Sequence, residues 1–318
     1  MDFRLTEEQA LLRDTARRLL HEQCQPTLLR SHLENRRAYL PLWEQIGDFV
    51  ALGDGPCTDL CVFLDELGYV AAPGPFVAAA VLALPLLRAI GHPAADAVAE
   101  GTLAATSCID GALVVDADIV DLVAFIGPSP EVTVRRSDET AITMVESVDS
   151  SRRYAQCATV PDAATHDVDP LFASAYRDRV IACTAADLVG TSRRMFDMAL
   201  AYAKERVQFD KPIGSFQAIQ HKLADMALAV ERATAAVHYA AMTVDAAAPD
   251  RTIACHSAKA AANVTAQHVL KDAIQIHGGV GYTLEHDLQL FLRRATMSAT
   301  QFGTTTFHHD KIAEVLFA

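Results

Sequence analysis

Apolar residues recur at helical spacing through the first third of the chain. A capping-box pattern runs from Thr6 to Gln9, so we expect the first helix to begin near residue 6. The apolar residues that follow it at i, i+4 spacing are Leu12, Ala16 and Leu20. Further helical patterns, separated by Gly- and Pro-containing turns such as 53–56, cover residues 42–46, 59–69 and 77–90. These patterns predict an N-terminal α-helical domain over residues 1–103.

The pattern changes near residue 104. Short runs of β-branched and apolar residues are bounded by Gly, Pro, Ser and Asp, which is typical of strands. These runs cover residues 112–115, 122–126, 132–134 and 141–145. We therefore expect a small β domain over residues 104–169.

Helical periodicity returns at residue 170. Long periodic segments cover residues 171–206, 216–245, 253–277 and 284 to the C-terminus. Because their connections are short, the four segments predict an antiparallel four-helix bundle over residues 170–318. Gly190 falls inside the first segment, where we expect it to permit close packing of a second helix. The predicted fold class is mainly α, with a reduced β domain between two helical domains.

Composition and charge narrow the possible partners. The 318 residues are 51% hydrophobic and 7% aromatic, which favours helical packing. A net charge of −13, without a basic run, argues against nucleic acid or an anionic membrane as partner. The N-terminus has no signal-peptide pattern, and the apolar run 77–87 is too short to span a bilayer. We expect a cytoplasmic protein in which that run forms a buried helix.

The seven cysteines do not resemble a disulfide framework, because their number is odd and they are scattered. Cys57 and Cys61 lie one helical turn apart, without a His or a second Cys pair at metal-ligand spacing. We therefore expect two small buried thiols and no metal site.

The segment 206–226, RVQFDKPIGSFQAIQHKLADM, is typical of a helix end, a short loop and a new helix. Arg206 and Gln208 lie at the mouth of that loop. A guanidinium there suits a phosphate group, since it offers paired planar donors and stays charged. An Arg at a helix end also commonly interacts with the helix dipole alone, so the residue type leaves both roles open.

The same segment resembles the R-x-Q-F-G-x-P-I-x-x-F-Q-x-I-Q-x-x-L-A-D-M signature of the acyl-CoA dehydrogenase family. These flavoproteins desaturate acyl-CoA thioesters between Cα and Cβ. Asp210 replaces the first Gly of the signature. The resemblance implies FAD as cofactor and a loop that crosses a subunit interface to the pyrophosphate of a neighbour's FAD. The cofactor-binding residues implied there are Arg206, Gln208, Phe209, Phe216 and Gln217.

A second segment, 275–282 (QIHGGVGY), resembles the family's Q-I-x-G-G-x-G-Y turn. Glycine after a helix is ordinarily a C-terminal cap. The resemblance implies instead that the backbone approaches the ADP half of the flavin, which a Cβ would obstruct. The further cofactor-binding residues implied are Gln275, His277, Gly278, Gly279 and Thr304.

The resemblance also identifies what the chain lacks. Desaturation requires a carboxylate that removes the Cα proton. In most of the family it is the Glu of I-Y-E-G-T, which aligns here with residues 300–304 and places Phe302 at the base position. In other relatives it lies on the first bundle helix, at Val180 here. Neither residue can accept a proton, so no catalytic residue is expected. Asp178 is expected to point elsewhere, and Arg294 stands where the family has Asp.

Two family segments, L-x-E-P-x-A-G-S-D and W-I-T, which wrap the flavin ring, are absent. The chain thus resembles the shorter subunit of actinobacterial α₂β₂ acyl-CoA dehydrogenases of steroid degradation. We expect a non-catalytic subunit that completes the FAD site of a full-length partner acting on an acyl-CoA. A steroid-derived acyl group follows from the resemblance alone. The alternatives are a self-sufficient homo-oligomer with Glu285 or Glu314 as base, and a degenerate paralogue that binds acyl-CoA or a protein without a redox role.

Overall fold

The computed structural model describes residues 3–149, 151–158 and 164–317. Its N-terminal α-helices are α1 (Glu7–Gln23), α2 (Pro26–Glu34), α3 (Leu40–Ile46), α4 (Cys57–Tyr69), α5 (Leu84–Ala89) and α6 (Ala95–Ala99). The capping box at α1 is confirmed, because the Gln9 amide N–H donates to the Thr6 hydroxyl and the Gln9 side chain accepts from the Thr6 N–H. None of the described helices combines the length and the apolar run that crossing a bilayer requires.

Two segments of this domain differ from the predicted helices. After α3 the chain continues as a 3₁₀ helix, Gly47–Asp54, into the region where the sequence predicted a turn. Before α5 it forms a π-helix, Val77–Ala83, whose residues are all buried. The change to α geometry falls beside Pro85, which lacks the N–H that a regular ladder needs. The apolar run is therefore a buried helical segment, as expected.

The β domain contains two sheets. Its strands are β1 (Ala105–Ile109), β2 (Val114–Val115), β3 (Leu122–Ile126), β4 (Glu131–Arg136), β5 (Ala141–Val145), β6 (Tyr154–Ala158) and β7 (Thr165–Asp167). The strand orders are β1-β3-β4-β7, in which β1 and β3 are parallel, and β2-β6-β5, which is antiparallel. The sequence missed β1, β6 and β7, because small and polar residues such as those of Ala105–Ile109 have low strand propensity and β1 is buried on both faces.

The C-terminal region is a helical bundle of α7 (Pro170–Glu205), α8 (Gln217–Asp245), α9 (Arg251–His277), α10 (Leu288–Ser298) and α11 (Thr305–Leu316). The prediction of one continuous fourth helix is wrong. Phe302 and Gly303 adopt φ values of 59° and 127°, which interrupt the helix. Thr304 then caps α11 by accepting a hydrogen bond from the Phe307 N–H. Phe302, which the resemblance places at the base position, therefore lies in a turn and not inside a helix.

Helices α4 and α7 cross at very short distance. A Cβ on Gly190 would lie 1.9 Å from the Asp65 carbonyl oxygen, and a Cβ on Gly68 would lie 1.9 Å from that of Asp187. The expected packing role of Gly190 is thus confirmed. One buried apolar cluster continues from the N-terminal helices into the bundle, and a second lies within the β domain. The first helical region gives way to strands at β1, and the strands give way to helices at α7. That the three regions are separate domains stays a prediction.

Buried charges link the β domain to the bundle. Arg294 of α10 is completely buried and contacts Asp187 of α7 at 3.3 Å and the Ser151 hydroxyl at 2.7 Å. Arg152 binds the same carboxylate through two hydrogen bonds of 3.0 Å. Although burial alone raises the pKa of Asp187, these two guanidiniums hold it below its usual value. The Arg at position 294 therefore has a structural partner in this chain.

Candidate cofactor and substrate site

A tight hairpin follows α7. Strands β8 (Val207–Gln208) and β9 (Lys211–Pro212) are antiparallel, and the two residues between them, Phe209 and Asp210, have φ values of 54° and 63°. Two-residue turns with positive φ at both positions favour Asn, Asp and Gly. Asp210 is therefore one of the few replacements for Gly that keeps this turn.

The side chains that the sequence singled out on this hairpin face solvent. Among the described residues, the exposed guanidinium of Arg206 has no side-chain partner. The Gln208 amide donates to the Val207 carbonyl at 2.8 Å. The ring of Phe209 is 85% exposed and meets that of Phe216 edge-on, with centroids 6.2 Å apart. Lys211 lies 4.3 Å above the Phe216 ring, so the hairpin carries two cations beside one aromatic surface.

The N-terminus of α8 lies directly beside the hairpin. The Ile213 N–H donates to the Arg206 carbonyl at 2.8 Å, which closes the loop. The N-cap is Phe216, so no side-chain oxygen caps the helix, and Gln217 is exposed. Uncapped N–H groups at a helix N-terminus attract anions. Arg206 and this helix end together form a donor set suited to a phosphate group.

The glycine turn lies at the same end of the bundle. Gly278 follows α9 with φ 64° and ψ −142°, and a Cβ on either Gly278 or Gly279 would meet open space. Gln275 is exposed. The ring of His277 is buried, stacks on Tyr202 of α7 at 4.5 Å and donates through Nδ1 to the Ala273 carbonyl. Burial lowers the pKa of His277, which thus packs inside the bundle as a neutral side chain.

A cavity of about 720 Å³ lies toward the opposite end of α7. Its walls are the N-terminal part of α7, the start of α9, the 297–303 segment, α11 and the β-domain loop 109–113. Val180 and Phe302, the two positions that the resemblance assigns to the family's base, both line this one cavity. Neither side chain can accept a proton, so the cavity wall is apolar at both positions.

The carboxylates on the cavity wall are paired with arginines. The expectation that Asp178 points elsewhere is wrong, since it lines the cavity, where it accepts from Arg251 at 2.8 Å and from the Thr252 hydroxyl at 2.9 Å. Asp110 accepts from Arg177 at 2.9 and 3.0 Å. Both carboxylates on the cavity wall are therefore already engaged in ion pairs within the chain.

The two alternative bases lie off the cavity wall. Glu285 is exposed in the loop before α10, where Arg30 donates to its backbone carbonyl. Glu314 is paired with Lys311 at 2.7 Å. Neither is among the residues that line the cavity.

His256 is a cavity residue that the sequence did not identify. Its Nδ1 lies 2.8 Å from Nδ1 of His308, so one ring donates and the other accepts. Burial lowers the pKa of both and brings that of His308 to about 3, which keeps the pair neutral. The two residues are 52 positions apart, and no local pattern connects them.

The residues of the hairpin and those of the cavity wall are far apart within one chain. Arg206 follows the end of α7, whereas Val180 lies 26 residues earlier on the same helix, a distance of about 39 Å at 1.5 Å per residue. The ribityl chain that joins the ring and the pyrophosphate of FAD spans a small fraction of that length. A flavin that contacts Arg206 through its pyrophosphate therefore cannot place its ring in this chain's own cavity.

Comparison with known proteins identifies similar chains over the full length. A family model described as "Acyl-CoA dehydrogenase, C-terminal domain" matches residues 180–317. Acyl-CoA dehydrogenase IpdE2 of Mycolicibacterium smegmatis is 33% identical over 312 residues, which cover 94% of this chain and 96% of that protein.

Solved structures match equally far along the chain. The ChsE4-ChsE5 complex from Mycobacterium tuberculosis contains a chain with a TM-score of 0.87 at 21% identity, over 100% of this chain and 99% of that one. The Tcur3481-Tcur3483 steroid ACAD G363A variant gives a TM-score of 0.87 at 19% identity, over 98% of each chain. These matches confirm the predicted fold.

Proposed function

The chain belongs to the acyl-CoA dehydrogenase family, and we propose that it is the subunit that completes the FAD site of a full-length dehydrogenase partner without contributing a catalytic base. One contrast carries this proposal. The hairpin and glycine-turn end of the bundle keeps an open set of phosphate donors, whereas both base positions on the cavity wall are apolar. The reaction of the complex is the α,β-desaturation of an acyl-CoA thioester.

The residues at the hairpin end fit the pyrophosphate and ADP parts of FAD. The Arg206 guanidinium and the uncapped start of α8 supply charged and backbone donors side by side. The open space around Gly278 and Gly279 lets a ligand approach the backbone there. When bound, FAD would supply the hydride acceptor for the desaturation, and Arg206 with the start of α8 would hold its phosphates. This chain's contribution is to hold the cofactor's phosphates from across the interface.

The relatives support a heteromeric partner. Two of the similar structures are named as pairs of different chains, and one of them is named a steroid ACAD. Exposed apolar side chains surround the hairpin end, among them Phe209, Tyr282 and Leu284. Such side chains suit a protein interface better than solvent. We propose a heterotetramer with a full-length acyl-CoA dehydrogenase as partner and a steroid-derived acyl-CoA as substrate.

His256 favours a second candidate, a self-sufficient dehydrogenase. A neutral imidazole on the cavity wall is a possible proton acceptor, although its Nδ1 is engaged by His308. In that case His256→Gln would abolish the turnover of the chain purified alone. In the heteromeric case the chain alone has no turnover to lose, and His256→Gln leaves the activity of the complex unchanged.

The test compares the chain alone with the chain co-expressed with a full-length acyl-CoA dehydrogenase from the same genome. We expect little flavin absorbance and no reduction of an electron acceptor from the chain alone. We expect stoichiometric FAD and turnover from the complex. Stoichiometric flavin together with turnover in the chain alone would refute the half-site proposal.

A further inference from the structure

Three buried thiols meet where α4 crosses α7. Cys57 and Cys61 lie one turn apart on α4, and Cys183 faces them from α7. The Sγ atom of Cys57 is 3.9 Å from that of Cys61 and 3.9 Å from that of Cys183, and all three sulfurs lie within 4.8 Å of one another. The close approach of the two helices at Gly68 and Gly190 brings these sulfurs together.

The ligand set is made of sulfur alone. Among the described residues, no His or carboxylate joins the three sulfurs. Soft thiolate ligands select Cu(I), Zn(II) or iron–sulfur clusters. Structural zinc sites are almost always four-coordinate, and a cluster with cysteine ligands on each iron needs four thiolates. Three sulfurs without a fourth protein ligand therefore favour Cu(I).

A positively charged side chain lies beside the cluster. The Arg179 guanidinium is close enough to Cys57, Cys61 and Cys183 to interact electrostatically with all three. Arg179 is fixed beside them because it donates to the carbonyls of Gly53 and Gly55 at 3.1 and 3.0 Å. Metals bind the thiolate form of cysteine, and a guanidinium beside the sulfurs offsets part of the negative charge that thiolate ligands bring to a buried site.

A route to the cluster exists from the surface. Cys61 lines a cavity of about 330 Å³ between the N-terminal domain and α7 and α8. The same cavity is lined by Phe3, which is exposed, so it opens to solvent. All three thiols are buried, and Cys61 is the one that lines this cavity, so an ion entering from the surface meets Cys61 first.

We propose that Cys57, Cys61 and Cys183 form a three-sulfur binding site for Cu(I). Each thiol that becomes a thiolate ligand releases one proton to solvent, and no electron is transferred. The bound ion would join α4 to α7 and thereby the N-terminal domain to the bundle. Spacing alone predicted no metal site, because Cys183 lies 126 residues beyond Cys57.

The test uses the full chain, reduced and kept anaerobic, loaded with Cu(I) as its acetonitrile complex and challenged with a Cu(I) chelator. We expect a single retained Cu(I), X-ray absorption that shows three sulfur neighbours, and a raised melting temperature. Cys183→Ser and Cys61→Ser should weaken retention by more than about tenfold, since even the loss of an outer-shell contact costs that much. Cys24→Ser is the matched control, because Cys24 is buried but contacts the Val70 carbonyl and no other thiol.

Three results would overturn the site. They are no Cu(I) retained by the wild type, equal retention in Cys183→Ser, and tight binding of Zn(II) without Cu(I). If a serine variant fails to fold, the sulfur count in the wild type decides, and fewer than three sulfur neighbours contradicts the proposal. None of these readouts depends on flavin or dehydrogenase activity, so failure here leaves the proposed function untouched.

Discussion

The two ends of α7 differ in what they keep. At its C-terminal end the hairpin keeps its turn conformation through Asp210 and presents the exposed Arg206 to solvent. Toward its N-terminal end lies the cavity of about 720 Å³, whose wall carries Val180 and Phe302, the positions that the resemblance assigns to the base. The exposed donors of the hairpin and the wall of the cavity thus lie toward opposite ends of one helix. A subunit that supports a neighbour's flavin needs the first end and can lose the chemistry of the second.

The largest expected effect concerns the buried charges around Asp187, near the middle of α7. Arg294→Ala leaves Asp187 with Arg152 as its remaining guanidinium partner, and removing one member of a buried ion pair costs about 3–5 kcal/mol of unfolding free energy. Urea unfolding measures this loss. Arg88→Ala, which removes an exposed arginine that is paired with Asp54 and Asp96, should cost about 0–1 kcal/mol and is the control. Similar costs for both variants would show that the buried network contributes no more to stability than an exposed ion pair.

Lys259 of α9 should make the stability of the fold depend on pH. It is completely buried, donates to Asn263 and the Ser298 carbonyl, and burial lowers its pKa to about 7. The unfolded chain binds this proton up to the ordinary pKa of about 10.4, so stability should rise between about pH 7 and 10, by a few kcal/mol at most. Lys259→Met should remove that rise, while Lys271→Met, an exposed position on the same helix, should keep it. A rise of equal size in the Lys259→Met variant would exclude Lys259 as its source.

Arg206 tests the opposite end. In the co-expressed complex, Arg206→Ala should lose a charge-assisted contact of about 1.5–3 kcal/mol, so FAD retention should weaken by about tenfold or more. Flavin absorbance per complex after gel filtration measures the loss. Arg232→Ala, which removes a different exposed arginine in the middle of α8, is the matched control. Unchanged flavin occupancy in the Arg206 variant would mean that the hairpin is only structural.

The smallest expected effect concerns Phe302 on the cavity wall. Phe302→Glu restores a carboxylate at the cavity wall, yet we expect no additional turnover, because a base acts only when a flavin stands opposite to accept the hydride. The new Glu, placed in a largely apolar cavity, would also tend to stay protonated. Anaerobic titration of flavin reduction by substrate counts active sites per complex. Twice as much reducible flavin in the variant as in the wild type would show that the second site lacked nothing but its base.

The sequence predicted those parts of the molecule that short-range patterns record. The order of helical, β and helical regions, the capping box at Thr6 and the packing role of Gly190 follow from periodicity and residue type, and the structure agrees. Strand β1 and the break at Phe302 escaped prediction. A buried parallel strand such as β1 has no alternation of polar and apolar residues that a pattern search could detect. An aromatic residue such as Phe302 does not adopt a positive φ by local preference, so the tertiary structure imposes this conformation.

The contacts between distant residues at the proposed sites were decided by the tertiary structure. Periodicity shows which face of a helix is buried, but it does not show which distant residue that face meets. The pairing of His256 with His308, the meeting of Val180 and Phe302 in one cavity, and the approach of Cys183 to Cys57 all depend on how helices cross. The distance between the hairpin and the cavity, in contrast, did not depend on tertiary contacts. It follows from the length of α7, which the sequence predicted, because a continuous helix sets the separation of its own residues.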